Sequence, residues 1–206
     1  MQNAHKSPTV TTRLLQNASL IDGTGAPAYS CDILIQGDRI VKIASHIDAN
    51  EGGAYDIMNC QGLTLTPGFI DVHTHDDAMV LRDPGMLAKL SQGVTTVITG
   101  NCGLSLVPLV SDAPGSPLDL LHTSEFRFAH LNDYAQAIAD KPPAVNVGAL
   151  IGHTTLRAKV MQDLTRAATP EETRDMAALL DEALAHGALG LSSGLFRSEE
   201  RRVGKE

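Results

Sequence analysis

The stretch that most constrains the fold of this chain is Pro67-Gly-Phe-Ile-Asp-Val-His-Thr-His75, a short apolar run that ends in two histidines. Proline fixes φ and lacks an amide donor, so Pro67 suits the first position of a strand. Side chains two residues apart on a strand point to the same side, which places His73 and His75 on one face. At a rise of about 3.3 Å per residue they lie about 6.6 Å apart, and both imidazoles can reach one metal ion at about 2.0 Å. A single histidine there would more often be a hydrogen-bonded core or surface residue, whereas two on one face at a strand end predict a pair of metal ligands.

A second apolar run, residues 94–99, predicts the next strand and leads into Gly100-Asn-Cys-Gly103. In α/β proteins the catalytic and binding residues lie where the strands end in loops. If this strand lies beside the histidine strand, Cys102 comes level with the two imidazoles, and a thiolate is a strong zinc ligand. The alternative is an inert structural thiol, because free cysteines are among the most buried residue types.

Several segments together carry a resemblance to a known family. They are Pro67-Gly-Phe-Ile-Asp-Val-His-Thr-His75, His73-Thr-His-Asp-Asp77, Gln92-Gly-Val-Thr-Thr-Val97, Thr99-Gly-Asn-Cys-Gly103, Gly152-His-Thr-Thr-Leu-Arg157 and Gly187-Ala-Leu-Gly-Leu-Ser-Ser-Gly-Leu-Phe196. The first of them resembles the amidohydrolase superfamily as a whole, including dihydroorotases and hydantoinases. The full set, and the Gly-Asn-Cys-Gly block above all, resembles the D-aminoacylases, also called N-acyl-D-amino-acid deacylases. The likeness runs from about Arg13 to Phe196.

The resemblance implies a fold, a cofactor and an activity. The fold is α/β, the N-terminal half of a (β/α)8 metal-dependent hydrolase barrel preceded by a small β-sandwich domain that is built partly from the C-terminal sequence of such proteins. The cofactor is zinc, with Cys102 matching a ligand of the tightly held metal and His73 and His75 completing a second, weaker position. The activity is zinc-dependent hydrolysis of N-acyl-D-amino acids to a carboxylate and a D-amino acid.

The same resemblance implies that the catalytic machinery is incomplete here. In the family, two further zinc-ligating histidines and the catalytic aspartate come from later strands, and no residue of this chain corresponds to them. We therefore expect no catalytic general base in this chain, and an inactive fragment of a longer enzyme. The 206 residues are also too few for a whole barrel, which takes about 250.

Turn and composition signals, together with the resemblance, divide the chain into four parts. Residues 1–11 read as a flexible arm, residues 12–66 as short strands of the β-sandwich domain, and residues 67–196 as the first half of the barrel. The charged residues 197–206 read as a non-native tail, and a solvated native C-terminus is the alternative. Within the second part, Gly37-Asp38 predicts a two-residue hairpin turn of type II′.

The barrel half is predicted to alternate strands and helices. After the histidine strand we expect a helix that begins at Asp83-Pro84 and stops at Gly93, the strand 94–99, and a long excursion at residues 108–128. A helix over residues 132–140, a strand over 145–151, a helix opened by the capping box Thr169-Pro-Glu-Glu172 and a strand over 188–193 complete four strands.

Two further residues are candidates for binding substrate. His153 follows the third predicted strand, where it could contact substrate, brace the site or be satisfied by local backbone. Arg157 could bind a substrate carboxylate through two parallel hydrogen bonds. A structural ion pair is the favoured alternative for Arg157. His122 and His130 lack a partner at ligand spacing and read as solvated or core residues.

Composition limits the possible binding partners and the cellular compartment. Aromatic residues make up 3% of the chain and the formal net charge is −8, which disfavours nucleic acid and leaves a small-molecule N-acyl amino acid as the expected partner. No apolar run approaches the 18 or so residues of a membrane span. Cys31 and Cys60 read as reduced core residues of a cytoplasmic protein. The oligomeric state is left open.

Two alternatives to the deacylase remain. One is a cyclic-amide hydrolase of the hydantoinase or dihydroorotase type that shares the His-x-His strand. The other is a non-catalytic fragment that folds, or binds a partner through its exposed sheet edge. Because unpaired parallel strands invite association, we expect the fragment to have low solubility.

Overall fold

A computed structural model describes residues 12–50, 55–109, 118–121 and 126–194. The chain divides into two compact units between Pro67 and Gly68, one residue from the boundary expected from the sequence. The predicted arm at residues 1–11, the tail at 197–206, His122 and much of the long excursion lie outside the described residues.

The first unit is built on one five-stranded sheet. At its centre lies β1 (Thr12–Leu20), which pairs antiparallel with β2 (Tyr29–Gln36), and β2 pairs antiparallel with β3 (Arg39–Ala44). On its other side β1 pairs in parallel with β4 (Asp56–Asn59) and then with β5 (Thr64–Leu65). The described residues contain one layer of the expected β-sandwich. The resemblance assigns the rest of that domain partly to C-terminal sequence.

Local signals explain the connections of this sheet. The predicted hairpin is confirmed, because Gln36 pairs with Arg39 across Gly37-Asp38 and Gly37 has the positive φ of 61° that a type II′ turn requires. Strand β1 contains a bulge at Asn17, whose φ is also 61°. The buried carboxylate of Asp32 stabilises this bulge by accepting a hydrogen bond from the Asn17 amide at 2.8 Å.

The second unit has the parallel strands expected of a half barrel. A three-stranded sheet has the order β6 (Phe69–Asp71), β7 (Val94–Thr99) and β8 (Asn146–Ala149), all parallel. The predicted third strand divides at Leu150 into β8, which pairs with β7, and β9 (Ile151–Gly152), which pairs in parallel with β10 (Leu191–Ser192). Successive strands of the chain are therefore neighbours, as they are in a (β/α)8 barrel.

The helices of the second unit are α1 (Met79–Arg82), α2 (Leu87–Leu90), a 3₁₀ helix (Leu118–Leu121), α3 (Leu131–Asp140), α4 (His153–Val160) and α5 (Pro170–Ala185). The predicted capping box is confirmed, because Thr169 and Glu172 exchange side-chain-to-backbone hydrogen bonds of 3.2 and 2.8 Å at the start of α5.

The prediction of one helix from Asp83-Pro84 to Gly93 is wrong. Asp83 instead ends α1, because the residue before a proline is disfavoured in the helical region. Met86, with a left-handed φ of 45°, separates α1 from α2. Gly93 does follow α2 with the positive φ of 78° expected of a helix stop.

The core of the second unit lies between the parallel strands and these helices. Its most deeply buried members are apolar, namely Val80, Val97, Leu104, Leu106, Leu118, Ile151 and Leu156. By contrast, Phe69 and Ile70 of β6 and the following Val72 are each at least 60% exposed. Among the residues that the structure describes, no helix has the length and apolar character that crossing a bilayer requires.

Candidate metal centre

His73 and His75 lie in the loop that follows β6 rather than on the strand itself. The strand ends at Asp71 because its Oδ1 accepts a hydrogen bond from the His73 amide at 3.2 Å, a local side-chain bond that competes with sheet pairing. The prediction of a strand through His75 is therefore wrong. The two rings are nevertheless neighbours, with centroids 6.0 Å apart and planes inclined at 76°.

Cys102 lies in the loop after β7 and is brought against the two histidines. Its Sγ is 3.0 Å from Nε2 of His73, and one ligand atom from each of the three residues lies within 4.8 Å of the others. Two ligands of one tetrahedral zinc ion lie about 3.5 Å apart, given bonds of about 2.0 Å to nitrogen and 2.3 Å to sulfur. Two imidazoles and a thiolate in this arrangement fit zinc or a similar transition metal ion.

A lysine on α2 binds the loop that carries the histidines. Nζ of Lys89 lies 2.6 Å from Oδ2 of Asp71 and 2.9 Å from Oδ2 of Asp76, and the Thr74 hydroxyl also donates to Asp76. The hydrogen bond from Lys89 holds the pKa of Asp71 below its usual value and outweighs the opposing effect of burial. The positive charge of Lys89 thus holds together two carboxylates, one on each side of the histidine pair.

A buried carboxylate lies between the two ligand loops. Asp77, which follows the histidines, is 2% exposed. Burial raises the pKa of Asp77 from 3.8 to about 6, although the nearby backbone amides of Gly100 and Leu106 oppose the shift. The side-chain amide of Asn101 connects the two loops by donating to the Thr74 carbonyl at 3.3 Å. The loop after β6 and the loop after β7 are therefore fixed to each other.

The sequence did not identify Lys89 or Asp77 as parts of the site. In the sequence Asp77 is only the last residue of His73-Thr-His-Asp-Asp77, and no sequence pattern distinguishes Lys89 from the other lysines. Lys89 comes from α2 and meets the loop after β6 only in the folded chain, and Asp77 is buried only once the surrounding elements pack.

The two predicted substrate-binding residues lie on α4, outside the His–Cys cluster. His153 is the first residue of α4 and lines a shallow groove with Leu156, Thr173, Met176, Ala177, Leu180 and Leu191. Arg157 is 2% exposed, and its Nη2 donates to the carbonyls of Leu164 and Arg166 at 3.2 and 2.6 Å. This burial favours a structural role for Arg157, in which it braces the segment between α4 and α5 rather than binding a substrate carboxylate.

Comparison with known proteins gives both a family and relatives. A sequence profile described as the amidohydrolase family matches residues 56–201. The N-acyl-D-aspartate deacylase of Alcaligenes xylosoxydans xylosoxydans is 50% identical over 191 residues, which cover 92% of this chain and 38% of that protein. The chain thus spans about two fifths of the length of the curated relatives it matches.

Solved structures extend the likeness to the fold. A D-aminoacylase with a binuclear metal centre superposes with a TM-score of 0.84 at 46% identity, covering 92% of this chain and 40% of that one. The N-acyl-D-glutamate deacylase of Bordetella bronchiseptica, complexed with zinc and a phosphonate mimic of the tetrahedral intermediate, gives 0.81 at 37% identity, covering 90% and 38%. The fold class expected from the sequence is confirmed by these matches.

Proposed function

The chain belongs to the amidohydrolase family, and from that premise we propose that it forms part of an enzyme that hydrolyses N-acyl-D-amino acids to a carboxylate and a D-amino acid. The observation that carries the proposal is the cluster of His73, His75 and Cys102, whose ligand atoms converge within 4.8 Å. The relatives named above act on N-acyl derivatives of D-aspartate and D-glutamate, which supports this substrate class.

We propose zinc as the ion that these residues hold. Sulfur and imidazole nitrogen are its preferred protein ligands, and the zinc complex of the Bordetella relative supports the choice. When bound, zinc supplies Lewis acidity, which polarises a carbonyl and makes water a nucleophile near neutral pH. The chain's own contribution is to present two neutral imidazoles and a thiolate, so loading with the ion releases the thiol proton of Cys102.

The residues around the ligands are proposed to keep the site rigid. Lys89 holds Asp71 and Asp76 on the two sides of the histidine pair, at 2.6 and 2.9 Å. Such outer partners orient the ligands, and losing one typically lowers metal affinity or activity about 10- to 100-fold. Asp77 is buried beneath the loops, so we assign it to holding them together rather than to proton transfer.

The proton transfers of amide hydrolysis need a carboxylate that can take a proton from water and give it to the leaving nitrogen. We propose that this group lies outside the present chain, which spans about two fifths of its relatives. The chain alone is then a metal-binding part without hydrolytic activity. The three cysteines of the described residues are free thiols, which supports the proposed cytoplasmic location.

The test is to assay the whole protein that contains this chain, stripped of metal and reloaded with zinc. We expect turnover of N-acetyl-D-methionine, loss of that turnover in Cys102→Ser, and retention in Cys60→Ser. Cys60 is a matched control because it is a buried free thiol of the first unit.

Two results would contradict the proposal. Turnover of a hydantoin but not of N-acetyl-D-methionine would assign the protein to the cyclic-amide hydrolases instead. Unchanged zinc uptake in Cys102→Ser would remove Cys102 from the metal centre.

A further inference from the structure

Cys102 is held in a backbone conformation that residues with a side chain rarely adopt. Its φ is 55°, and the flanking Gly100 and Gly103 have φ values of 77° and 76°. Glycine adopts such angles without steric cost, but a residue with a Cβ does not. A non-glycine residue stays in this region only where its surroundings fix it there. Contacts around residues 100–103 must therefore hold the turn.

Ser192 makes two of these contacts with one oxygen atom. Its hydroxyl donates to the Gly100 carbonyl at 2.5 Å and accepts from the Gly103 amide at 3.0 Å. The two peptide groups lie on opposite sides of Asn101-Cys102, so the hydroxyl bridges the base of the turn. Ser192 lies on β10, which pairs with β9 and not with β7. The bridge therefore links the loop after β7 to a strand that is not paired with β7.

The backbone at the base of the turn packs closely against the chain at Leu150. A side chain at Gly100 has no room there, because a Cβ would lie 2.0 Å from the Leu150 carbonyl oxygen. On the other side, the Gly103 carbonyl accepts from the amide of Thr154 at 2.9 Å, in the first turn of α4. Packing and backbone bonds thus hold the ends of the turn, and Ser192 connects those ends to each other.

We propose that Ser192 is a positioning residue for the metal centre, because its hydroxyl holds Cys102 in the left-handed conformation that directs Sγ toward His73 and His75. This inference rests on the metal centre of the proposed function. Without the hydroxyl, the Gly100 carbonyl and the Gly103 amide each lose a partner, and the turn can relax toward negative φ. The thiolate then moves away from the point at which the imidazoles converge.

The test uses the whole metal-free protein titrated with Co²⁺, whose thiolate charge-transfer band in the near ultraviolet reports the cysteine ligand directly. Ser192→Ala is expected to bind Co²⁺ at least about tenfold more weakly, as outer partners of metal ligands do, and to show a weaker band. Ser193→Ala is the matched control, because Ser193 is the adjacent serine and is exposed. It is expected to match the wild type in both measurements.

The outcomes separate the two proposals. A wild-type protein that shows no thiolate band on adding Co²⁺ contradicts the metal centre itself. If the wild type shows the band, a Ser192→Ala variant with the same Co²⁺ affinity and the same band overturns the role of Ser192. An equal loss of Co²⁺ affinity and band in Ser193→Ala overturns it as well.

Hydrogen exchange of the Gly103 amide in the wild type provides a measurement that does not depend on the variant folding. Slow exchange is expected, since this amide donates to Ser192. Exchange at the rate of an exposed amide would overturn the inference.

Discussion

Nε2 of His73 lies 3.0 Å from Sγ of Cys102, although the two residues are 29 positions apart in the chain. The contact forms because β6 and β7 are parallel neighbours, so the loops that follow them leave the sheet at the same edge. The side-chain amide of Asn101 then links one loop to the other by donating to the Thr74 carbonyl. The contact between His73 and Cys102 therefore depends on how the ends of β6 and β7 are held.

Zinc should stabilise the folded protein and a chelator should reverse the effect. A ligand at a free concentration 100-fold above its dissociation constant adds about 2.7 kcal/mol to the free energy of unfolding. We expect the melting temperature to rise with zinc, to fall with EDTA, and to respond little to Mg²⁺, which prefers oxygen ligands. Differential scanning calorimetry measures this. Equal responses to zinc and Mg²⁺ would contradict a site made of nitrogen and sulfur.

Lys89→Met should destabilise the protein and weaken its metal binding. Removing the ammonium leaves Asp71 and Asp76 as two partly buried carboxylates without their shared cation. Hydrogen bonds to charged groups contribute about 1.5–3 kcal/mol, and we expect a loss near the lower end because Lys89 is 23% exposed. Lys89→Arg should recover part of it, and Lys159→Met, on an exposed position of α4, should have little effect. Urea unfolding of the three variants measures the free energy of unfolding. Equal decreases in Lys89→Met and Lys159→Met would contradict a stabilising role for the ion pairs of Lys89.

Glu172→Gln should alter how stability depends on pH. The hydrogen bonds from Arg166, followed by the one from the Thr169 amide, lower the pKa of Glu172 from its usual 4.5 to about 2. A carboxyl whose pKa is lowered by folding contributes stability that is fully present above the unfolded value and is lost as pH falls through the folded value. The wild type should therefore lose this contribution between about pH 4.5 and pH 2, and Glu172→Gln should lack it throughout. Melting temperatures of both proteins from pH 6 to pH 2 test this, and parallel curves would contradict it.

The isolated 206-residue chain should associate in solution. Phe69 and Ile70 on β6 are each 60% exposed, and Val72 is 66% exposed, so an edge strand presents apolar side chains on both of its faces. Replacing Ile70 by Lys should reduce association, because a charge on an edge strand opposes pairing with another chain. Size-exclusion chromatography with light scattering measures the effect. A monodisperse wild-type chain would show that these faces do not promote association.

The features that the sequence predicted correctly have local causes. The hairpin at Gly37-Asp38 depends on one glycine with positive φ, and the capping box of α5 depends on residues three positions apart. The meeting of His73 with Cys102 could be expected as well, because parallel strands bring their following loops to one edge. Each of these signals lies within a few residues of the chain or follows from a general rule of parallel sheets.

The features that the sequence did not predict depend on distant contacts or on competition between local ones. Strand β6 stops at Asp71 because a side chain captures the His73 amide, and the helix expected at Asp83 fails because Pro84 disfavours it. Lys89 and Ser192 reach the site from other elements, and their part in it depends on packing that no short sequence pattern encodes.

The bridge from Ser192 also sets an order of events during synthesis. The two imidazoles and the thiol leave the ribosome close together, whereas Ser192 follows Gly103 by 89 residues. At about 5–20 residues per second, Ser192 is translated roughly 5–20 s after Cys102. During that interval the turn that carries Cys102 lacks both of the hydrogen bonds that Ser192 makes in the folded protein.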